Sequence, residues 1–324
     1  MSQTINTHTK DAVYILDSYG LIYRAYFALF SHPLTNSQGQ NISALVIFFR
    51  NLKALLSKYK PGYIAAAFDS RTPTFRHQMY SEYKATRDKT PQDLHDQVPW
   101  IEEVLNCLKI PVLRKDGFEA DDIIATVAKA CQSQGRPCNI LSGDKDLLQL
   151  VSPTCSAMQP DKANGGWETE GIAEVIEKWG IEPEKILDYL SLLGDTADNV
   201  PGVKGVGEKT ALKLLKEYGS LDGIYEKALE IKGAIGNKIR EGKDSAYFSK
   251  KLISLCYDVP IEIDFEAFST ANLDFAAAAS CLEKYGASAV AKSYSSESSG
   301  PAPTVEEQRE IDVEKNVGDY SPCT

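Results

Sequence analysis

The sequence predicts an α/β fold: a central, mainly parallel sheet flanked by helices, then a helical subdomain and a polar tail. Three observations predict it. Up to about residue 144, short apolar runs alternate with stretches of helical periodicity, the signature of successive βαβ units. From Trp167 to Tyr285, strand character fades and glycines punctuate a cluster of helices. From Ser293 the composition shifts to Ser, Gly, Pro, Glu and Asp with few aromatics. The predicted organisation is an α/β core over 11–166, a helical subdomain over 167–292, and a linker or disordered acidic tail over 293–324.

Each element has its own signal. Val13–Leu16 is a short apolar run ending at Asp17, and Arg24 follows in a helix-like stretch. Over Ile42–Lys58, Leu45, Phe48, Phe49, Leu52, Leu55 and Leu56 recur at helical spacing. Tyr63–Phe68 reads as a second buried strand, ending at Asp69. Pro91–Leu108 predicts a helix and Pro111–Leu113 a short strand. Glu119–Cys131 predicts a helix, and Asn139–Leu141 a strand leading into Ser142-Gly143-Asp144.

Composition narrows the class. With 324 residues, 43% apolar and 25% charged, the chain can bury a large core without disulfides. No apolar run approaches the roughly 18 residues of a membrane span, and Met1–Asp11 has no secretory h-region. The seven cysteines are odd in number, scattered and without a C-x-x-C pair, so reduced thiols in a cytoplasmic protein are expected. Four scattered histidines lack zinc spacing.

The net charge of −10 speaks at first against nucleic acid. Its distribution changes that. The segment from Tyr294 to Thr324 carries −5, with seven acids and two bases. The body carries the other −5, and setting aside nine acids grouped below leaves it at +4. A mildly basic surface around an acidic, metal-filled pocket suits a phosphodiester substrate.

Asp17, Asp69 and Asp144 each follow an apolar strand. Ligands collect at the carboxyl ends of parallel strands, so three acids at three strand ends would converge. Each alone reads as a helix cap; together they exceed what capping needs. Glu119-Ala120-Asp121-Asp122 adds three acids, with Glu119 and Asp122 on one helical face. Acids in a first turn also complement the helix dipole, but one or two suffice for that. Asp144-Lys145-Asp146 completes one pair, and Asp195 with Asp198 another at helical i, i+3 spacing. Crowded carboxylates are driven to bind protons or cations. Hard oxygen donors select Mg²⁺ or Mn²⁺, and two such ions roughly 4 Å apart serve phosphodiester hydrolysis. Composition and spacing thus lead to a metal-dependent phosphoryl-transfer site.

Between Arg71 and Lys89, the bases Arg71, Arg76, Lys84 and Arg87 interleave with Phe75, Tyr80 and Tyr83. A solvated loop would account for the charge; cations with aromatics also suit phosphates and unstacked bases. Lys84 and Arg87 are three apart, so on a helix they would face one target and could stabilise charge on a scissile phosphate. Gly202-Val203-Lys204-Gly205-Val206-Gly207-Glu208-Lys209-Thr210 precedes an amphipathic run. It lacks Walker A spacing and follows no strand. A Gly-rich turn at a helix N-terminus presents backbone N–H groups to phosphate, and Lys204 and Lys209 add charge for sequence-independent binding to a DNA backbone.

The order of motifs resembles the 5′ nuclease (flap endonuclease) domain of bacterial DNA polymerase I. The matching segments are Leu16-Asp17 with Tyr23-Arg24-Ala25-Tyr26, Ala67-Phe68-Asp69, Phe75-Arg76-His77, Tyr83-Lys84, Glu119 through Asp122, Gly143 through Leu147, Gly194-Asp195 through Asp198-Asn199, and Pro201 through Ala211. They run in family order over about Val13–Tyr285. The resemblance implies a PIN/5′-nuclease-like fold and a two-metal enzyme that cuts 5′ flaps and trims 5′ ends in replication and repair. Asp17, Asp69, Glu119, Asp121, Asp122, Asp144, Asp146, Asp195 and Asp198 match its acidic positions, for two or more Mg²⁺ ions, with Mn²⁺ as a substitute. It implies that Lys84 and Arg24 contact the reacting phosphate, with Arg87 a weaker candidate. Tyr83 would stack on the base beside the scissile bond. Arg71 and Arg76 fall in a segment, about 71–90, that is similar to the arch around the free 5′ strand. The glycine-rich segment resembles a helix–hairpin–helix element, where Gly202, Gly205, Gly207 and Thr210 would hold duplex DNA, often with a monovalent cation such as K⁺. Expected partners are DNA with a free 5′ end (flap, nicked duplex or RNA primer–DNA junction) and a polymerase domain in cis or in trans, with no membrane. Position 18 is Ser where many relatives have Gly, and no polymerase domain follows; a stand-alone nuclease, a truncated product and a piece of a polymerase all stay open. The competing readings are a catalytically inactive DNA-binding module of the same fold, an RNA-cutting nuclease, and a metal-dependent phosphatase.

Overall fold

The computed structural model describes residues 7–87, 90–160 and 166–295. Nearly all of the predicted tail, 296–324, lies outside the described residues, as do the arch positions 88 and 89.

The sheet has six strands in the order β3-β2-β1-β4-β5-β6. Strand β1 (Val13–Asp17) is central and wholly buried. It pairs in parallel with β2 (Tyr63–Ala67) on one side and β4 (Cys138–Leu141) on the other. Strand β3 (Val112–Leu113) extends the sheet beyond β2, β5 (Cys155–Pro160) runs parallel to β4, and β6 (Trp167–Glu170) closes the far edge antiparallel. A strand buried on both faces reads as a continuous apolar run, and that run made β1 and β2 visible in the sequence.

Alternate residues of β1 feed two cores. Tyr14 and Leu16 pack under α1 (Ser18–Ala28), α2 (Ser43–Tyr59) and α4 (Gln92–Cys107). A short helix, α3 (Phe75–Met79), precedes α4. Val13 and Ile15 pack under α5 (Ala120–Ser133) with Ile123 and Ile124. Full burial of one such aliphatic side chain stabilises by roughly 1.5–3 kcal/mol.

Beyond the sheet come α6 (Ile172–Trp179), α7 (Ile186–Leu193), α8 (Glu208–Tyr218), α9 (Leu221–Glu226), α10 (Gly233–Glu241) and α11 (Lys243–Ile253). Leu190, Leu192, Leu214, Leu215 and Leu252 give these helices their own core.

The structure differs from the sequence reading in three places. Strands β5 and β6 have no counterpart in it, and β6 carries the sheet past the expected division at 166/167. The chain then returns to the first core: α12 (Phe275–Lys284) and α13 (Ser288–Ser295) bury Leu282, Val290 and Tyr294 there. Tyr294 donates its hydroxyl to the Phe49 carbonyl at 2.9 Å, so ordered helix runs past the expected start of the tail at 293.

Candidate active site

The sheet topology builds the site. The chain moves from β1 outward to β2 and β3, then restarts on the other side of β1 at β4. The crevice outside the strand ends at such a reversal is where α/β sheets collect ligands. Asp17 ends β1, Asp69 follows β2 by one residue beyond Phe68, and Asp144 follows β4. All three line one cleft of about 490 Å³, together with Glu119, Asp121, Lys84 and Arg87.

Backbone caps aim these carboxylates. Asp17 caps α1, accepting from the Gly20 N–H at 3.3 Å, and accepts the Ser142 hydroxyl at 2.6 Å. Asp69 accepts the Ala120 N–H at 3.0 Å, on the first turn of α5. Asp144 accepts the Asp146 N–H at 2.8 Å.

The cleft is short of positive charge. Burial, with repulsion from Asp69 and Asp144, pushes Asp17 up to about 6 against the pull of Ser142. Burial and Asp144 push Asp146 up to about 7. Asp121 is raised well above the carboxylate range by burial, then by Asp144 and Asp17. Desolvation raises Asp144 too, although its residue is open at the surface, and Asp198 adds to the rise. Asp146 also has a buried Oδ1 with no hydrogen-bond partner. Among the described residues no three His, Cys, Asp or Glu side chains are already drawn around one point. The fit to a hard divalent cation therefore rests on the donor chemistry: clustered carboxylate oxygens, several of them pushed above the usual carboxylate range by burial and by one another.

Two acids are held ionised. Burial alone would raise Glu119, but Lys84 and Arg76 hold it below the usual range. Its Oε1 accepts from Lys84 Nζ at 2.9 Å and its Oε2 from the Tyr83 hydroxyl at 3.0 Å. Burial opposes Asp195 as well, but Lys145, at 2.7 Å, keeps it low.

The surroundings of several predicted positions differ from what the spacing alone implied. Asp122 is fully buried, turned from the cleft, and gripped in parallel by Arg76 at 2.7 and 2.8 Å. Arg76 is itself 2% exposed, so it is closed to DNA. The Tyr83 ring is buried in the helical core, with no face free for a base. Arg24 donates to the Pro160 carbonyl at 2.7 Å and lines an adjoining apolar pocket. Arg71 pairs with Glu102 at 3.1 Å, outside the cleft. Lys84 and Arg87 lie in turns, with Lys84 in the left-handed region at φ 58°. Asp195 and Asp198 share no helix either: Asp195 pairs with Val200 across a tight turn, and its Oδ1 caps Ala197 and Asp198. Arg87 reaches Asp198 Oδ1 at 2.8 Å.

The hairpin between α7 and α8 depends on two glycines. Gly194 and Gly202 both have positive φ, and a Cβ on Gly202 would sit 2.4 Å from the Gly194 nitrogen. Gly202 is buried, gives its N–H to Ser249 and accepts from Ser245, so both of its backbone groups brace the hairpin. The Gly205 carbonyl accepts from Lys238 Nζ at 3.0 Å. Gly207 caps α8 with no side-chain bond, leaving the helix N-terminus open beside exposed Lys204 and Lys209; Thr210 lies in its first turn.

The sequence reading gave no role to Tyr19, Tyr23, Thr86 and Thr90 on the cleft wall, or to Ser142 beneath Asp17. Tyr19 and Tyr23 are one helical turn apart, directly after the first acid, and that spacing was the available signal.

A family model described as 5′-3′ exonuclease, N-terminal resolvase-like domain, matches residues 12–180. A second, 5′-3′ exonuclease, C-terminal SAM fold, matches 181–276. DNA polymerase I of Treponema pallidum is 47% identical over 285 residues, covering 88% of this chain and 28% of its own length. DNA polymerase I of Bacillus subtilis is 40% identical over 250 residues, covering 77% and 28%. The chain thus spans under a third of the curated relatives it matches. Among solved structures, the 5′-exonuclease of bacteriophage T5 with bound zinc ions superposes with a TM-score of 0.62 at 17% identity, over 88% of this chain and 97% of that one. The T5 flap endonuclease with DNA and metal ions gives 0.61 at 19%, over 88% and 100%. At these identities the structural likeness speaks for the fold.

Proposed function

The chain belongs to the 5′-3′ exonuclease family, and from that premise we propose that it is a divalent-metal-dependent nuclease acting on DNA with a free 5′ end. The reading rests chiefly on one observation: Asp17, Asp69, Asp121 and Asp144 crowd one cleft, short of positive charge, opposite Lys84 and Arg87. Structure-specific cutting of 5′ flaps and trimming of 5′ ends are both proposed activities.

Two Mg²⁺ ions, with Mn²⁺ as a substitute, would activate water and stabilise the leaving oxygen. Asp17, Asp69, Glu119, Asp121 and Asp144 are the proposed holders of one ion, and Asp146, Asp195 and Asp198 of the other. The hydrolysis breaks the P–O3′ bond: water adds to phosphorus, and the products are a 3′-hydroxyl and a 5′-phosphate. Lys84 directs an ammonium into the cleft, where it would meet charge developing on the phosphate oxygens. Arg87 is the proposed second phosphate contact, exchanging Asp198 for the substrate. Exposed Tyr23, beside Asp17, offers a ring to an unstacked base. The open N-terminus of α8, with Lys204 and Lys209, would hold duplex backbone. K⁺ at the hairpin would compete with Lys238 for the Gly205 carbonyl. A polymerase domain in cis or in trans is the proposed partner.

The test compares a labelled 5′ flap, a nicked duplex, an RNA primer–DNA junction and single-stranded RNA, each with Mg²⁺ and with EDTA. Metal-dependent release of 5′-end products from the DNA substrates supports the reading. Preference for single-stranded RNA, or binding of the flap with no cutting, overturns it.

A further inference from the structure

Arg76 is the most heavily bonded side chain around the cleft, yet it does not line the cleft and is only 2% exposed. Its Nε and Nη2 donate to the carbonyls of Leu252 and Ser254, at the end of α11, at 2.8 and 2.9 Å. Its fork grips Asp122, and Nη1 also reaches Glu119 Oε2 at 3.4 Å. Asp122 completes the link, accepting the Cys256 N–H at 2.9 Å and the Glu119 N–H at 3.1 Å. Three elements from distant parts of the chain meet there: α3, the start of α5, and the chain leaving the helical subdomain.

Glu119 carries the link into the cleft, because its two oxygens hold Lys84 Nζ and the Tyr83 hydroxyl. The same loop is held from the far side. The Lys84 backbone N–H donates to the Asp198 carbonyl at 3.0 Å, and Asn199 Nδ2 donates to the Glu82 carbonyl at 2.8 Å. Both grips on residues 82–87 therefore lead to the helical subdomain, one through 195–199 and one through Arg76–Asp122. A left-handed lysine persists only where its surroundings over-determine it.

We propose that Arg76 and Asp122 form a buried latch that couples the seating of the helical subdomain to the position of Lys84 in the cleft. Both are positioning residues; Asp122 holds no metal and Arg76 meets no DNA. The role of Lys84 rests on the nuclease reading above, whereas the latch itself is a property of the protein without substrate. A buried charge pair is costly to desolvate and adds little net stability, so its use lies in fixing geometry. Arginine suits it, since a lysine cannot bridge one carboxylate and two carbonyls with a planar fork.

Arg76→Ala would strand Asp122 as an unpaired buried charge, so the test uses Arg76→Lys, Asp122→Asn and the double variant. Amide exchange is followed over residues 80–87, Mn²⁺ ions are counted, and single-turnover flap cleavage is timed. The latch predicts exchange over 80–87 about 10-fold faster in each single variant. It predicts cleavage slower by roughly 10- to 100-fold with flap affinity kept, and a double variant no worse than the worse single. Asp122→Asn should bind as many Mn²⁺ ions as the unaltered protein. Unchanged protection at 80–87, additive losses in the double variant, or loss of one Mn²⁺ from Asp122→Asn each overturns the proposal. If the unaltered protein cuts nothing, the nuclease reading fails, while exchange and ion counting still decide the latch.

Discussion

Lys84 Nζ lies 2.9 Å from Glu119 Oε1, and the pair joins the loop of residues 82–87 to the first turn of α5. Lys84 is about one-fifth exposed and Glu119 almost wholly buried, so each sets the other's charge. Burial works against the Lys84 ammonium, and Glu119 restores it.

Removing the ammonium while keeping the stem tests that pair. Lys84→Met should slow single-turnover cleavage by roughly 10²- to 10³-fold, the cost of losing one preorganised charge-stabilising donor. Flap affinity measured by fluorescence anisotropy should change by less than about 3-fold, because uniform binding is not what the group supplies. A parallel loss of affinity and rate would instead make Lys84 a binding residue.

Without metal, stability should fall as pH rises. Asp17 and Asp146 have folded values of about 6 and about 7 against an ordinary 3.8. Between about pH 4 and 7 the unfolded chain ionises them and the folded chain resists. The contribution present at low pH is lost through that window. Thermal melts in EDTA should show Tm declining there, and Mg²⁺ should raise Tm most near pH 7–8, where the carboxylates are free to bind it. A Mg²⁺ effect that does not grow with pH would contradict the clustered-carboxylate account.

The hairpin has a sharp dependence on Gly202. A methyl group there meets the Gly194 nitrogen at 2.4 Å on a left-handed backbone. Gly202→Ala should cost at least about 2 kcal/mol in urea unfolding and abolish duplex binding, whereas Gly207→Ala, with open space around it, should cost less than about 1 kcal/mol.

Exposed Lys204 and Lys209 flank the open start of α8. If both meet phosphate, replacing them with Ala should lower the slope of log K against log salt by about 2. An unchanged slope would remove the hairpin from the duplex interface.

The three strand-end acids were legible because each closes a buried apolar run, and parallel topology does the rest. Strands β5 and β6 were not. Strand β5 hides Ser156, whose buried hydroxyl bonds Asn139 on the neighbouring strand, and β6 is a short edge strand with mixed burial. The acid pair at Asp195 and Asp198 had helical spacing, but side-chain capping by Asp195 and a left-handed Asn199 make it a turn. Asp122 had the right neighbours for a metal ligand; what its carboxylate meets instead is Arg76, 46 positions earlier, and no local spacing reports that contact. The same contact explains why a basic residue in the expected arch is closed to solvent.

On the proposed function, the carboxylates of the cleft, Asp121 among them, hold the ions that cut DNA. Single-turnover cleavage of a 5′-labelled flap across a Mg²⁺ titration, for the unaltered protein and Asp121→Asn, tests it most directly. The expected result is cutting near the flap junction that vanishes in EDTA, and a loss of about 100-fold or more in Asp121→Asn, roughly 2.7 kcal/mol of barrier, with flap affinity retained. Cleavage that survives EDTA, or an Asp121→Asn rate equal to that of the unaltered protein, would contradict it.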